Sequence, residues 1–218
     1  MEDNRETVAT TEKRAFQDPI IDWWHDPSLH ILRKVDASVK NYIFRQIISG
    51  STGKNDVNID KPLKGLKVLD VGCGAGFLSE DLARAGCNLT GIDPKISLLE
   101  VAKNHAYSDS TLPAITYLAE TVEEHCKNHE GEYDVVVANF VLQHVPDQKY
   151  FIECCSKCVK PGGTIFMSAI AKTYLAWFIQ IFLLEYVLRE LPRGLHHLEK
   201  FINPSVAEDF MTSCKLSN

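Results

Sequence analysis

The chain has 218 residues, of which 45% are hydrophobic and 24% are charged, a composition typical of a globular protein with a substantial core. Its formal net charge of −6 excludes a general nucleic-acid binder, because there is no basic surplus to neutralise phosphates. The length predicts one main domain. We expect a disordered tail over residues 1–20, an N-terminal helical lid with a linker over residues 21–60, and the main domain over residues 61–218.

The predicted elements alternate between helix and strand after a first helix whose apolar positions recur at helical spacing. Near-continuous apolar strands that alternate with helices predict an α/β fold, a doubly wound parallel sheet with about five strands. In chain order the predicted elements are a helix over 28–48, strand 67–71, helix 77–85, strand 88–92, helix 97–105, strands 115–118 and 133–138, a helix ending at 159, a turn over 160–163, strand 164–169, and a last helix opened by Asn203 and Pro204.

The seven cysteines are odd in number, and Cys154, Cys155 and Cys158 crowd one predicted helix. This pattern indicates reduced thiols of an intracellular protein. Cys155 and Cys158 have metal-ligand spacing, but there is no second such pair, so we interpret them as buried helix residues.

The acidic N-terminus lacks the features of a secretory signal or a transit peptide. The most apolar run, from Tyr174 to Leu184, is shorter than the about 20 residues that span a membrane. It fits a buried helix or an interfacial one.

Three glycines, Gly72, Gly74 and Gly76, follow the first predicted strand. In an open α/β sheet, ligands bind beyond the carboxyl ends of the strands, and glycine removes the Cβ that would keep a ligand away from the backbone. The spacing predicts a ligand at this loop, although a tight structural turn produces the same pattern.

Two acids indicate which ligand the loop binds. Asp93 ends the second strand, where a carboxylate can accept hydrogen bonds from ribose hydroxyls. Asp70 precedes the first glycine, where its charge disfavours a dinucleotide pyrophosphate and favours the ammonium of a methionine moiety. Together with the glycines, these acids favour S-adenosylmethionine over NAD.

The order VLDVGCGAG (68–76), GIDP (91–94), an apolar fourth strand and VKPGG (159–163) resembles class I S-adenosylmethionine-dependent methyltransferases, which have a Rossmann-like fold. Trp23-Trp24, the segment 91–106, residues 120–124 and residues 198–204 are similar to the ubiquinone biosynthesis O-methyltransferase family. The class I sheet ends in a two-stranded antiparallel hairpin that is not visible here. We therefore expect the methyltransferase domain over 61–218 to be incomplete at its C-terminus.

The resemblance implies O-methylation of a polyprenylated catechol or dihydroxybenzoate. It also implies a multi-protein complex and peripheral membrane contact at the matrix face of the inner mitochondrial membrane. It places cofactor contacts on Gly72, Asp93 and Asn139, an adenine-lining pair on Thr121 and Val122, and Lys40 at the position of an arginine that holds the cofactor carboxylate. With the residues argued above, the candidate cofactor site comprises Lys40, Asp70, Gly72, Gly74, Gly76, Asp93, Thr121, Val122 and Asn139.

The family has a Glu-x-x-Glu-His metal motif just past the fourth strand, whereas this chain has Phe140 and Gln143 at the glutamate positions and keeps only His144. One histidine beside a neutral oxygen is a poor Mg²⁺ site, so we predict no metal ligands here. His144 is the candidate catalytic base; the alternative is that it only fills or caps the loop.

Two rival functions stay open: a catalytically impaired scaffold subunit, and a metal-independent small-molecule methyltransferase.

Overall fold

The computed structural model describes residues 22–26, 30–50 and 58–169, together with residues 206, 209, 210 and 212. These residues form helices and strands that alternate along the chain. The helices are α1 (His30–Gly50), α2 (Phe77–Arg84), α3 (Ile96–Ser108), α4 (Val122–His125) and α5 (Gln148–Cys158), with a 3₁₀ turn over Leu142–His144; the strands are β1 (Lys67–Val71), β2 (Asn88–Ile92), β3 (Ile115–Leu118), β4 (Tyr133–Asn139) and β5 (Val159–Ser168).

The five strands form one parallel sheet in the order β3-β2-β1-β4-β5. Val71 at the end of β1 pairs with Ile92 of β2 on one side and with Ala138 of β4 on the other. The carboxyl ends of the three central strands therefore lie side by side. The predicted doubly wound parallel sheet is confirmed.

The sheet is buried on both faces because successive side chains of a strand point to opposite sides. Val68, Val135 and Val137 pack in one buried cluster with Ile43 of α1 and with α2. The intervening residues of β1 and β4 pack in a second cluster with α5. This two-sided burial explains why the central strands are near-continuous apolar runs.

Several predicted boundaries shift. The first helix is described from His30 and extends to Gly50, two residues past its predicted end, and α3 extends to Ser108. The turn predicted over 160–163 is wrong as a separate element, because it forms an irregularity inside β5: Tyr133 pairs with Val159, but Val135 pairs with Thr164. The glycines of this segment let the strand bulge without losing its pairing with β4.

The prediction that Cys155 and Cys158 are buried helix residues is confirmed. Cys154, Cys155 and Cys158 are buried on α5, and no described cysteine is in a disulfide. No described helix is both long and apolar enough to cross a membrane. The predicted tail over 1–20, the apolar run from Tyr174 and the helix opened by Asn203 lie outside the described residues.

Candidate cofactor site

The glycine loop turns the chain from β1 into α2 with three residues in the left-handed region. The φ angles are 70° at Gly72, 54° at Gly74 and 86° at Gly76. The backbone N–H groups of Gly72 and Cys73 both donate to the carbonyl of Ile92, at 2.8 and 3.1 Å. These bonds hold the loop against the carboxyl end of β2.

The three glycines serve different purposes. A Cβ at Gly72 would lie 2.5 Å from Val141 Cγ2, and a Cβ at Gly76 would lie 2.6 Å from the Tyr117 hydroxyl oxygen. A Cβ at Gly74 would meet nothing within 4 Å. Close packing within the protein therefore requires glycine at 72 and 76, whereas Gly74 leaves a strip of backbone facing open space.

Asp93 lies directly beside this open strip. Its carboxylate accepts hydrogen bonds from the backbone N–H of Gly74 at 3.0 Å and from that of Lys95 at 2.8 Å. Burial raises the pKa of Asp93, although these two hydrogen bonds oppose the shift. A carboxylate offers about four acceptor positions, so Asp93 keeps acceptor capacity for the hydroxyls of a sugar.

Asp70 is buried on the face of β1 that α2 covers. Ser79 of α2 donates its hydroxyl to the Asp70 carboxylate at 2.6 Å. Burial raises the pKa of Asp70 to about 7, the Ser79 hydrogen bond opposes this, and the nearby charges of Asp36 and Asp93 add to it. A cation near Asp70 would relieve this cost, because an opposite charge favours the ionised carboxylate.

Asn139 ends β4, next to the glycine loop in the sheet. Its side-chain amide donates to Asp36 of α1 at 2.6 Å, and its carbonyl oxygen accepts from the Ser168 hydroxyl at the end of β5. The sequence reasoning identified Asn139 but missed Asp36 and Ser168. The apolar periodicity of the helix gave no signal for Asp36.

The structure places the other candidate cofactor residues in internal contacts. Lys40 forms an ion pair with Asp81 of α2 at 3.0 Å. Thr121 caps α4: its hydroxyl accepts from the Glu124 N–H at 3.3 Å, and its own N–H donates to the Glu124 carboxylate at 2.9 Å. The Val122 side chain is buried in the core. Thr121 and Val122 follow β3, on the Asp93 side of the loop.

Trp24 reaches the glycine loop from the N-terminal segment. The Trp24 indole N–H donates to the carbonyl oxygen of Ala75 at 3.2 Å, and its ring packs edge-on against Phe77. The segment 22–26 thus covers one side of the glycine loop.

A groove of about 490 Å³ lies beside Asn139, between α1 and the strands β4 and β5. Apolar side chains line much of it, together with hydroxyls and one side-chain amide. The lining includes Ser38, Val39, Tyr42, Phe166, Met167 and Ser168. Its position next to the carboxyl end of β4 makes it a candidate for the apolar part of a substrate.

The comparisons with known proteins agree with this geometry. Residues 69–167 match a family model described as a methyltransferase domain. The ubiquinone biosynthesis O-methyltransferase of Pectobacterium carotovorum is 44% identical over 154 residues, covering 71% of this chain and 64% of that protein. The protein of the same name from Erwinia tasmaniensis is 46% identical over 142 residues, covering 65% of this chain and 58% of that protein.

The chain is a homologue of the ubiquinone biosynthesis O-methyltransferases. It spans 58% to 64% of the length of these two relatives.

Among solved structures, the Bacillus subtilis YcgJ protein matches with a TM-score of 0.60 at 14% identity, over 83% of this chain and 69% of that one. The Synechocystis magnesium protoporphyrin IX methyltransferase, with bound SAH, matches with a TM-score of 0.61 at 18% identity, over 95% and 84%. The fold is that of class I methyltransferases.

Residues 140–144 lie where the resemblance implies a metal motif. Phe140 adopts a φ of 53°, and the Gln143 amide N–H donates to the Phe140 carbonyl at 2.7 Å. The Gln143 carbonyl oxygen is buried and has no hydrogen-bond partner. Phe140 offers no donor atom and Gln143 only a neutral oxygen, so these residues do not fit a Mg²⁺ ion. Among the described residues, no three His, Cys, Asp or Glu side chains are grouped to hold a metal.

His144 ends the 3₁₀ turn and is exposed. Its backbone N–H donates to the carbonyl of Val141 at 2.8 Å, and Val141 is the residue whose side chain packs against Gly72. The turn that ends at His144 therefore begins beside the glycine loop.

Proposed function

We propose that this chain is an S-adenosylmethionine-dependent O-methyltransferase that acts on a polyprenylated catechol or dihydroxybenzoate in ubiquinone biosynthesis. The open backbone of Gly74 beside the buried Asp93 carboxylate is the observation that carries the proposal. The 44% to 46% identity to ubiquinone biosynthesis O-methyltransferases supports the choice of acceptor.

The described residues fit the cofactor in an order that follows the sheet. Thr121 and Val122 follow β3 and suit the adenine, and Asp93 at the end of β2 suits the ribose hydroxyls. The glycine loop after β1 leaves room for the chain that joins ribose to sulfur. Asn139 at the end of β4 lies where the amino-acid end arrives.

The bound cofactor supplies a methyl group on a sulfonium, which a phenolic oxygen attacks in line. A phenol has a pKa of about 10, so at neutral pH the acceptor hydroxyl needs a base. In the proposal a ring nitrogen of His144 takes this proton as the oxygen approaches. The groove between α1 and β5 holds the apolar tail and fixes the direction of approach.

The proposal includes no metal step, because the donor set at residues 140–144 does not fit one. It leaves two further candidates. The Phe140 and Gln143 residues favour a catalytically impaired subunit that binds the cofactor in an assembly. They are also compatible with a metal-independent methyltransferase that acts on another class of small molecule.

The proposal includes a cellular location, a membrane contact and partner proteins. We infer a location at the matrix face of the inner mitochondrial membrane, peripheral contact with the membrane, and a place in a multi-protein quinone-biosynthesis complex. The resemblance to the quinone family supports all three, since its substrate carries a membrane-soluble tail. Fractionation of mitochondria with salt and carbonate washes tests the first two, and co-purification of a tagged chain tests the third; a cytosolic protein that purifies alone would contradict them.

A turnover assay tests the activity. The chain is incubated with S-adenosylmethionine and a prenylated dihydroxybenzoate, with and without Mg²⁺, and the methylated product is measured. We expect turnover in both conditions and at least tenfold less with His144→Asn. Binding of S-adenosylhomocysteine without turnover would favour the scaffold, and the absence of binding would reject the cofactor site.

A further inference from the structure

We propose that Asp36 of α1 binds the ammonium group of the cofactor's amino-acid end. The inference rests on the proposed function, because it assigns a ligand contact within the same site. It adds a residue of α1 to the cofactor site, besides Lys40, which the resemblance places there.

The first step is the position of Asp36. It accepts a hydrogen bond of 2.6 Å from the side-chain amide of Asn139, a residue 103 positions away. In the sheet, Val71 pairs with Ala138, so Asn139 stands beside Gly72 at the carboxyl edge. The carboxylate of Asp36 is therefore held at the junction of β4 and the glycine loop.

The second step is the direction in which the ligand extends. With the ribose at Asp93 on β2, the amino-acid end of the cofactor runs toward β1 and β4, since these are the next strands along the sheet. Adenine then lies at the opposite end, after β3. Asp36 thus meets the end of the cofactor that carries an ammonium and a carboxylate.

The third step is the charge of the pocket. Burial raises the pKa of Asp36 to about 6; the Asn139 hydrogen bond opposes this shift and the nearby Asp81 charge adds to it. The charge of Asp36 in turn helps to raise the pKa of the buried Asp70. Lys40, four residues after Asp36 on α1, is paired with Asp81 at 3.0 Å. An ammonium between Asp36 and Asp70 would offset the repulsion of these two acids.

The fourth step is the support behind Asp36. Asn139 is fixed by the hydroxyl of Ser168, which also accepts from the Phe140 N–H at 3.1 Å. One oxygen of Asp36 accepts from Asn139, and a carboxylate has further acceptor positions. The arrangement orients the carboxylate and still leaves it able to bind a donor.

The experiment compares two nucleosides by calorimetry. S-adenosylhomocysteine carries the ammonium, whereas 5′-methylthioadenosine lacks the amino-acid end. Asp36→Asn keeps an oxygen to accept the Asn139 hydrogen bond but removes the charge. We expect it to weaken S-adenosylhomocysteine binding at least tenfold and to change methylthioadenosine binding less than twofold.

Two variants serve as controls. Asp134→Asn removes the same charge from the amino end of β4, where Asp134 pairs with Lys160 at 2.7 Å, and is expected to change neither affinity. Asp93→Asn is expected to weaken both nucleosides, because both carry the ribose.

The outcomes separate the two proposals. Equal affinity of wild type and Asp36→Asn for S-adenosylhomocysteine would overturn the role of Asp36 and leave the cofactor site standing. Equal weakening of both nucleosides by Asp36→Asn would also overturn it, because the residue would then only support the fold. If the wild-type chain bound neither nucleoside, the proposed function would fail and the role of Asp36 with it.

Discussion

The indole ring of Trp24 lies flat on the imidazole ring of His105, with centroids 3.4 Å apart and an interplanar angle of 3°. His105 is held in turn by the buried carboxylate of Glu80, whose oxygen lies 2.7 Å from Nδ1. Trp24 also donates a hydrogen bond to the Ala75 carbonyl in the glycine loop. The stack and this hydrogen bond together hold the N-terminal segment against the glycine loop.

Replacing Trp24 with alanine should therefore lower the free energy of unfolding by about 1–2 kcal/mol, since it removes an aromatic pair and a hydrogen bond. Urea unfolding checks this. Tyr107→Ala is the matched control, because Tyr107 lies on the same helix as His105 and is 94% exposed. Equal effects of the two variants would mean that the stack contributes nothing to stability.

A second prediction separates the ligand role of Gly74 from its backbone role. Gly74→Ala should cost about 1–2 kcal/mol of stability, as expected for an alanine in the left-handed region. It should also weaken S-adenosylhomocysteine binding at least tenfold, because the new methyl group would fill space that the nucleoside needs. Gly131 has a similar φ of 60° and an equally open surrounding. Gly131→Ala should show the same loss in thermal unfolding but unchanged binding in calorimetry; if the two variants bound the nucleoside alike, the space at Gly74 would not be the ligand's.

Thr121 provides a third test, because the resemblance assigns it to adenine whereas the structure shows it capping α4. Thr121→Ala removes the acceptor for the Glu124 N–H and should cost about 1 kcal/mol of stability. Thr121→Ser keeps the hydroxyl and should cost little. If the hydroxyl acts only as a cap, both variants should bind S-adenosylhomocysteine as the wild type does, and a selective loss in the alanine variant would restore an adenine role.

The strands could be predicted from the sequence because local information determines them. Lys67–Val71, Asn88–Ile92 and Ile115–Leu118 match the predicted bounds, since each is a short apolar run bounded by polar or turn residues. The segment 160–163 was predicted wrongly as a separate turn. Its proline and glycines indicate a change of chain direction, but they do not show that pairing with β4 continues on both sides of the segment.

The site could be predicted only in part, because residue spacing does not report tertiary contacts. Spacing placed Gly72, Gly74 and Gly76 on one loop but could not show which of them faces open space. The contact between Asp36 and Asn139 joins residues far apart in sequence and depends on how α1 packs on the sheet. A periodic apolar pattern identifies such a helix but not which of its polar residues points at a strand end.

The last prediction concerns pH. The pKa of Asp70 is raised to about 7 in the folded protein, mainly by burial, from about 3.9 in an unfolded chain. Between these values the folded state binds more protons than the unfolded state, so the free energy of unfolding should fall as pH rises from about 4 to about 7.

Asp70→Asn removes this titration and can still accept the Ser79 hydrogen bond. The variant should be more stable than the wild type at pH 8, by on the order of 2–4 kcal/mol, and the difference should vanish near pH 4. Thermal unfolding across this range measures it. Asp134→Asn should behave in the opposite way, because the pKa of Asp134 is lowered: burial raises it, but the hydrogen bonds from the Lys160 side chain and the Lys67 N–H, together with the charges of both lysines, outweigh burial. Asp134→Asn should be less stable than the wild type at pH 8. If stability changed with pH in the same way in the two variants, burial of Asp70 would not govern the pH response.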